Sequence, residues 1–190
     1  PAEVESVLVA HLLFTKRSYD FGIDWRNIQT FADLGANVGY FPVLVADESH
    51  HRDDLAGVAV EANPRLMDEV EWHIRENRLD GVKALCGFAG AEPGEAEKDF
   101  FVYTANVASS EFAVEDPAFP SIGDWNKIRV PTLSMENVWT KAVGDRRCDL
   151  LKIDIEGSEA RFIKYESAFL DRVDRIIVEW HDFIVPRGES

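Results

Sequence analysis

The stretch Asp33-Leu34-Gly35-Ala36-Asn37-Val38-Gly39 lies between an apolar run that starts at Thr30 and a helical pattern that starts at Tyr40. Glycines at such a strand-to-helix turn let the backbone bend tightly and approach a ligand closely. The helix start adds free backbone N–H groups that face the same place. The stretch therefore predicts an α/β fold with a ligand site at this turn.

Alternating apolar and helical patterns continue on both sides of the loop. Five apolar runs predict strands at Thr30 to Leu34, Val58 to Glu61, Val82 to Cys86, Leu150 to Asp154 and Arg175 to Glu179. Helical patterns lie at Tyr40 to Asp47, Pro64 to Arg78, Met135 to Thr140 and Glu159 to Leu170, with Asn63 and Ser134 as caps. The alternation predicts a doubly wound, mainly parallel sheet with helices on both faces.

Two more strands are predicted at Lys98 to Ala105 and at Lys127 to Leu133, with a polar surface loop from Ser109 to Asp124 between them. The 190 residues contain no repeat and no linker, so we expect a single domain over residues 1–190. Within it, we expect residues 1–24 to form an N-terminal helical segment and residues 25–183 to form the core that binds the ligand.

Composition excludes several classes of protein. Lys and Arg number 20 against 35 Asp and Glu, a net charge of −15, which opposes binding to nucleic acid through phosphate groups. No apolar run reaches the ~20 residues of a membrane span, and nothing at the start resembles an export signal. The two cysteines, Cys86 and Cys148, lie in apolar stretches, as buried thiols do. We therefore expect a cytoplasmic protein without a membrane or nucleic-acid partner.

The spacing in the glycine loop, acid-x-Gly-x-Asn-x-Gly, differs from the Gly-x-Gly-x-x-Gly loop that binds dinucleotides. Asp33 stands two residues before the first glycine, where its charge disfavours a pyrophosphate and suits a positively charged ligand. The sulfonium and ammonium groups of S-adenosylmethionine carry such charge, so the loop favours that cofactor. A turn with no ligand would use the same glycines, and this alternative stays open.

Two further groups are predicted at the same edge of the sheet. Glu61 ends the second predicted strand, where an acid accepts hydrogen bonds from both hydroxyls of a ribose. Gly87 and Phe88 follow the third strand and leave room for an adenine ring against an apolar wall. An exposed acid before the cap Asn63 and a simple strand-ending turn explain these residues equally well.

The fourth and fifth predicted strands end in titratable groups. Asp154 and Glu156 alternate, so both fall on one face, where they suit a general base or a pair of cation ligands. His181 can take up a proton near neutral pH. Helix capping by Glu156 and packing of His181 against Trp180 are the structural alternatives. We name Asp154, Glu156 and His181 as candidate catalytic residues and assign no metal site.

Five segments in this order resemble the FkbM family of S-adenosylmethionine-dependent methyltransferases. They are DLGANVGYF (residues 33–41), VEANP (60–64), VPTLSMENV (130–138), LLKIDIEGSE (150–159) and IIVEWH (176–181). The resemblance implies that the methionine part of the cofactor is surrounded by Asp33, Gly35, Asn37 and Gly39. It also implies that Glu61, beside Asn63, holds the ribose, and that Gly87 and Phe88 border the adenine.

The resemblance implies a class I, Rossmann-like enzyme that methylates a hydroxyl of a small-molecule acceptor, a sugar or a natural product such as a polyketide. Sheets of that class continue beyond the fifth strand, whereas only residues 183–190 follow here. We therefore expect a shortened chain or a sheet that lacks the last two strands. A nicotinamide-dependent oxidoreductase and a non-catalytic cofactor-binding module remain as alternatives, and the oligomeric state stays open.

Overall fold

The computed structural model describes residues 9–19, 22–50, 52–103, 109–110 and 125–181. Its strands are β1 (Thr30–Leu34), β2 (Ala56–Glu61), β3 (Val82–Cys86), β4 (Phe88–Ala89), β5 (Glu97–Tyr103), β6 (Ser109–Ser110), β7 (Trp125–Leu133), β8 (Leu150–Ile153) and β9 (Ile176–Val178). Its α-helices are α1 (Tyr40–Glu48), α2 (Met67–Glu76), α3 (Met135–Ala142), α4 (Glu159–Tyr165) and α5 (Ser167–Leu170). Shorter helical turns lie at His11–Thr15, Trp25–Asn27 and Arg52–Asp54.

The main sheet has the strand order β3-β2-β1-β8-β9, and every pairing in it is parallel. β2 and β3 lie on one side of β1, whereas β8 and β9, which come later in the chain, lie on its other side. This reversal of the strand order opens a crevice at the carboxyl ends of β1 and β8, where doubly wound folds bind ligands. The predicted fold class is confirmed.

Helices cover both faces of this sheet because its strands carry apolar side chains on both faces. Phe31 of β1 packs with Phe41 and Leu44 of α1 in one core cluster. Its neighbours in β1, Ala32 and Leu34, belong to a second cluster on the opposite face. That second cluster includes Trp139, Phe162 and Phe169 from α3, α4 and α5. Alternate residues of one strand therefore serve two cores.

A second, four-stranded sheet has the order β4-β7-β5-β6 and stands beside the carboxyl edge of the main one. β5 and β7 pair antiparallel, which confirms two predicted strands within the described residues. The predicted loop from Ser109 to Asp124 is wrong at its start, because Ser109 and Ser110 pair with β5. Its residues 111–124 lie outside the described part of the chain, as does His51.

Two predicted helices have different bounds in the structure. The helix predicted from Pro64 begins at Met67, because the Asn63 side chain first accepts a hydrogen bond from the Arg65 N–H and forms a separate turn. The helix predicted from Glu159 to Leu170 is two helices that meet at Glu166. The Glu166 carboxylate accepts the N–H of Met135 at 3.1 Å and so caps α3 from a neighbouring element.

The segment before β1 packs on the face of the sheet that α1 covers. Leu13 from the helical turn His11–Thr15 joins the first core cluster, and Phe14 meets Tyr40 edge to face at 6.3 Å. Among the helices in the described residues, none combines the length and apolar character needed to cross a bilayer. Cys86 and Cys148 are both free thiols.

Candidate functional site

Two cavities meet at the carboxyl edge of the main sheet. The first, which we name the crevice, has polar lining from Gly35, Asn37, Glu61, Asp154 and Glu156. Its apolar wall consists of Val60, Ala62, Gly87, Phe88, Ala89 and Phe100. The second, which we name the N-terminal cavity, encloses about 350 Å³ between the segment before β1 and the glycine loop. Because Gly35, Asn37, Asp154 and Glu156 line both, the two cavities are adjacent.

The glycine loop is fixed by close packing as well as by its turn. Gly35 has φ +77°, and a Cβ at this position would lie 1.7 Å from the carbonyl oxygen of Asp154. Gly39 has φ +88° and starts α1, where a Cβ would approach the Cα of Val70 to 3.0 Å. Gly39 lines neither cavity, so its predicted contact with the cofactor is not supported. Its role is to let α1 and α2 pack closely.

Glu61 stands at the floor of the crevice and binds the backbone of the glycine loop. One carboxylate oxygen accepts the Asn37 N–H at 2.8 Å, and the other accepts the Asn63 N–H at 2.8 Å. Burial raises the pKa of this carboxyl to about 7, against the effect of the two N–H donors. Each carboxylate oxygen has a second lone pair, so Glu61 can still accept hydrogen bonds from a ligand.

The side chain of Asn37 presents an acceptor atom toward a ligand. Its Oδ1 is buried and has no hydrogen-bond partner among the described residues. Buried polar atoms are rarely left without a partner, because such an atom costs free energy. Asn37 has φ +51° and lines both cavities, so a donor on a bound ligand would satisfy this oxygen.

Asn63 takes part in the turn after β2, and its predicted contact with the cofactor stays a prediction. The side chain is buried, and its Oδ1 accepts the Arg65 N–H at 3.1 Å. Asn63 lines neither the crevice nor the N-terminal cavity. It shapes the turn after β2 and supplies the backbone N–H that orients Glu61.

Asp33, a predicted cofactor contact, is paired with a charge of the protein through one carboxylate oxygen, whereas its other oxygen, Oδ2, is buried without a hydrogen-bond partner among the described residues. Its carboxylate is fully buried and accepts a hydrogen bond from the Lys152 ammonium at 3.1 Å. Asp33 and Lys152 are register partners on the neighbouring strands β1 and β8. Asp33 does not line either cavity, and its contact with the cofactor stays a prediction.

Lys152 was not predicted as a site residue. It connects the glycine loop to Asp154 at the end of β8. Its ammonium donates to the carbonyl oxygen of Gly35 at 3.0 Å and lies 3.3 Å from the Asp154 carboxylate. Burial alone would lower the pKa of Lys152, but the charges of Asp33 and Asp154 raise it well above its ordinary value. A lysine in the middle of an apolar strand was the available sequence signal.

The apolar wall of the crevice includes Gly87 and Phe88, as the sequence predicts. Phe88 is buried in a small cluster with Phe100 and Val102 of β5. A Cβ on Gly87 would lie 2.7 Å from the Leu133 side chain, so the glycine is needed for packing against β7. The wall contains two aromatic side chains, Phe88 and Phe100, and its assignment to adenine stays a prediction.

Asp154, Glu156 and His181 come together in what we name the imidazole–carboxylate cluster, which also contains Glu159 and Glu179. The Nδ1 atom of His181 contacts the Glu159 carboxylate at 3.1 Å. Its Nε2 atom lies 3.7 Å from Glu156, 3.8 Å from Glu179 and 3.9 Å from Asp154. The three candidate catalytic residues are therefore neighbours, although they come from the ends of two different strands.

Glu159 is the member of this cluster that the sequence did not reveal. It is 1% exposed, and one of its oxygens accepts the N–H groups of Ile155 and Gly157 at 3.2 and 3.1 Å. Burial opposes ionisation, but these donors and His181 keep the pKa of Glu159 below its ordinary value. An ionised, immobile carboxylate therefore fixes the His181 ring.

The cluster also shifts the pKa values of His181 and Glu156. Burial alone would lower the pKa of His181, but the hydrogen bond to Glu159 and the charge of Glu156 raise it to about 9. Burial raises the pKa of Glu156 to about 7, while His181 opposes that shift. The protonation of His181 therefore depends on the charge of Glu156, and that of Glu156 on the charge of His181.

The strand order, the glycine loop and the crevice define a Rossmann-like, ligand-binding domain of the kind found in class I methyltransferases. The sequence profile of the methyltransferase FkbM domain matches residues 33–190, and the chain belongs to the FkbM methyltransferase family. The predicted family and enzyme class are confirmed by this match. The match also favours a methyltransferase over a nicotinamide-dependent oxidoreductase.

A solved structure described as StiE O-MT residues 961-1257 is similar to this chain, with a TM-score of 0.46 and 11% sequence identity. The alignment covers 92% of this chain and 43% of that chain, so the chain spans less than half the length of this structural relative. Among curated protein sequences, none matches this chain.

Proposed function

We propose that the protein uses S-adenosylmethionine to methylate a hydroxyl group of a small-molecule acceptor, a sugar or a natural product such as a polyketide. The observation that carries this proposal is the crevice at the strand reversal, where Glu61 and Asn37 lie between the glycine loop and an apolar wall. Membership of the FkbM family supports the same activity. The acceptor class comes from the family resemblance alone.

The residues in the crevice fit the parts of this cofactor. The apolar wall with Phe88 and Phe100 suits an adenine ring, and the remaining lone pairs of Glu61 suit the ribose hydroxyls. The unpartnered Asn37 Oδ1 suits a donor on the ligand, such as its ammonium group. When bound, the cofactor supplies an electrophilic methyl group on a positively charged sulfur, and the carboxylate of Asp154 favours that charge.

The residues of this chain act on the acceptor mainly by orientation. An acceptor held in the N-terminal cavity would place its hydroxyl beside Asp154 and Glu156, which line that cavity. His181 lines neither cavity, and its Nε2 atom lies 3.7 Å from Glu156. We propose that these three residues polarise the hydroxyl and promote loss of its proton. Holding the two reactants in line contributes up to ~7–11 kcal/mol in favourable cases. Lys152 keeps Asp154 and the glycine loop at a fixed distance from each other.

Two further features of the proposal come from the sequence. Both cysteines are free, which is compatible with the reducing cytoplasm that we propose as its location. The negative charge of the chain argues against a nucleic-acid acceptor.

Titration calorimetry with S-adenosylhomocysteine tests the cofactor assignment. Wild-type protein should bind it, and Glu61→Ala should bind it about tenfold to hundredfold more weakly, because charge-assisted hydrogen bonds contribute ~1.5–3 kcal/mol. Glu76→Ala, a change of an exposed acid on α2, is the matched control and should leave the affinity unchanged. Equal affinity in all three proteins would contradict the site, and no binding to wild-type protein would contradict the function.

Mass spectrometry on a panel of hydroxylated sugars and polyketides tests the reaction itself. The expected product gains one CH₂ unit and appears only when S-adenosylmethionine is present. Binding of the cofactor without any product across the panel would favour the non-catalytic cofactor-binding module.

A further inference from the structure

The imidazole–carboxylate cluster has the composition and spacing of a metal site. One oxygen of Asp154, one oxygen of Glu156 and one ring nitrogen of His181 all lie within 4.8 Å of one another. We propose that these three residues bind a divalent transition-metal ion, with Mn²⁺ as the probe ion, at the junction of the two cavities. The sequence pattern suits Asp154 and Glu156 to a pair of cation ligands, but it does not show that His181, which follows another strand, lies beside them.

The ligand atoms are held by other residues in the way that metal sites require. The Glu159 carboxylate contacts Nδ1 of His181, which leaves Nε2 directed toward Asp154 and Glu156. Histidine ligands of metals nearly always have such a carboxylate or carbonyl partner on the other ring nitrogen. Lys152 similarly holds Oδ2 of Asp154, so that Oδ1 faces the ring.

The burial of the histidine distinguishes this cluster from a group of surface acids. The His181 side chain is 8% exposed, whereas those of Asp154 and Glu156 are 23% and 32% exposed at the cavity surface. A nearly buried imidazole thus points its Nε2 atom at carboxylates that a solvent ion can reach. Such a site has an entry path and a rigid inner ligand.

Charge balance also calls for a cation. Four carboxylates surround the ring, from Asp154, Glu156, Glu159 and Glu179, and Lys152 adds one positive charge. The same ammonium also pairs with the Asp33 carboxylate at 3.1 Å, so it does not balance the carboxylates around the ring. A divalent cation among these carboxylates would reduce the excess of negative charge.

The distances admit an ion after small movements. A six-coordinate ion with bonds of ~2.1 Å separates neighbouring ligand atoms by ~3.0 Å and opposite ones by ~4.2 Å. The Nε2 distances of 3.7 Å to Glu156 and 3.9 Å to Asp154 lie between these values. Because one ligand is an imidazole, the set suits Mn²⁺, Fe²⁺ or Zn²⁺ better than Mg²⁺, which prefers oxygen.

The catalytic role of the ion rests on the proposed methyl transfer, whereas its binding does not. An acceptor hydroxyl on the ion would lose its proton to solvent more readily, because a Lewis acid lowers the pKa of a bound hydroxyl. The oxygen then forms a bond to the methyl carbon while the carbon–sulfur bond breaks and its electron pair stays on sulfur. Asp154, Glu156 and His181 would act through the ion in this case.

Mn²⁺ binding by titration calorimetry and by the loss of the free-ion EPR signal tests the site on chelator-treated, dialysed protein. We expect one bound ion in wild-type protein and no measurable binding in His181→Gln or Glu156→Gln. Glu159→Gln keeps every proposed ligand, so it should weaken binding about tenfold to hundredfold by releasing the ring. His50→Gln, which removes an exposed histidine, is the matched control and should bind normally.

Several outcomes would overturn the site. They are no Mn²⁺ bound by wild-type protein, unchanged binding in Glu156→Gln, and loss of binding in His50→Gln. Glu156 is part-exposed, so that variant keeps the test valid if His181→Gln fails to fold by circular dichroism. Binding of S-adenosylhomocysteine, measured in the same chelated samples, separates the two proposals. If it binds while Mn²⁺ does not, only the metal site is wrong.

Discussion

The pKa of Glu61 makes cofactor affinity depend on pH in a predictable direction. Burial raises this pKa to about 7 in the free protein, while Lys152 lowers it and Asp33 raises it through their charges. Hydrogen bonds from ribose hydroxyls favour the ionised carboxylate, so binding lowers the pKa. Affinity should therefore increase as the pH rises through 7, because the form that binds becomes the main form.

The expected magnitude follows from the fraction of Glu61 that is ionised. About nine tenths of the carboxyl groups are ionised at pH 8 and about one tenth at pH 6. The dissociation constant of S-adenosylhomocysteine should be about tenfold larger at pH 6, a difference of ~1.4 kcal/mol. Titration calorimetry at intervals between these pH values, with chelator present, measures it directly.

Two variants separate Glu61 from its neighbours. Glu61→Gln cannot ionise, so its weaker binding should stay constant between pH 6 and 8. Glu156→Gln is the control, because Glu156 lines the same crevice and its pKa is also raised to about 7. If the pH dependence disappears in Glu156→Gln and persists in Glu61→Gln, the reasoning about Glu61 is refuted.

Two further predictions concern the residues that hold the site together. Asp33→Asn should lower the free energy of unfolding in urea by ~3–5 kcal/mol, since it leaves the buried charge of Lys152 without its main partner. Asp99→Asn removes one partner of an exposed ion pair with Lys127, so it should change the free energy of unfolding little. If the two variants lower the free energy of unfolding equally, the buried pair of Asp33 does not have the predicted importance. Gly35→Ala should greatly reduce both thermal stability and S-adenosylhomocysteine binding, because its Cβ would collide with the Asp154 carbonyl. Gly94→Ala is the control, because Gly94 has φ +91° and an added Cβ there would have no atom within 4 Å. Its thermal stability should fall only by the smaller cost of the backbone angle, and an equal fall in the two variants would contradict the predicted collision at Gly35.

The sequence by itself determined the fold class and most of its elements. β1 and β3 have the predicted bounds, and Gly35, Asn37, Glu61, Gly87 and Phe88 line the crevice as expected. These features are local, since apolar content, spacing and glycine turns are written in consecutive residues. The start of α3 at Met135 after the cap Ser134 was also predicted correctly. Boundaries failed at the start of α2, where the Asn63 side chain forms a separate turn, and at Glu166, where one predicted helix is two.

Only the tertiary structure decided how the charged residues are used. Asp33 pairs with Lys152, 119 positions away, because β1 and β8 are register neighbours in the sheet. Glu159 meets His181 because α4 and the end of β9 converge at the same edge. A charged side chain carries no local sign of its partner, since electrostatic pairing depends on distance in space. The sequence could therefore locate the site, while the fold determined which carboxylates face a ligand and which are already neutralised.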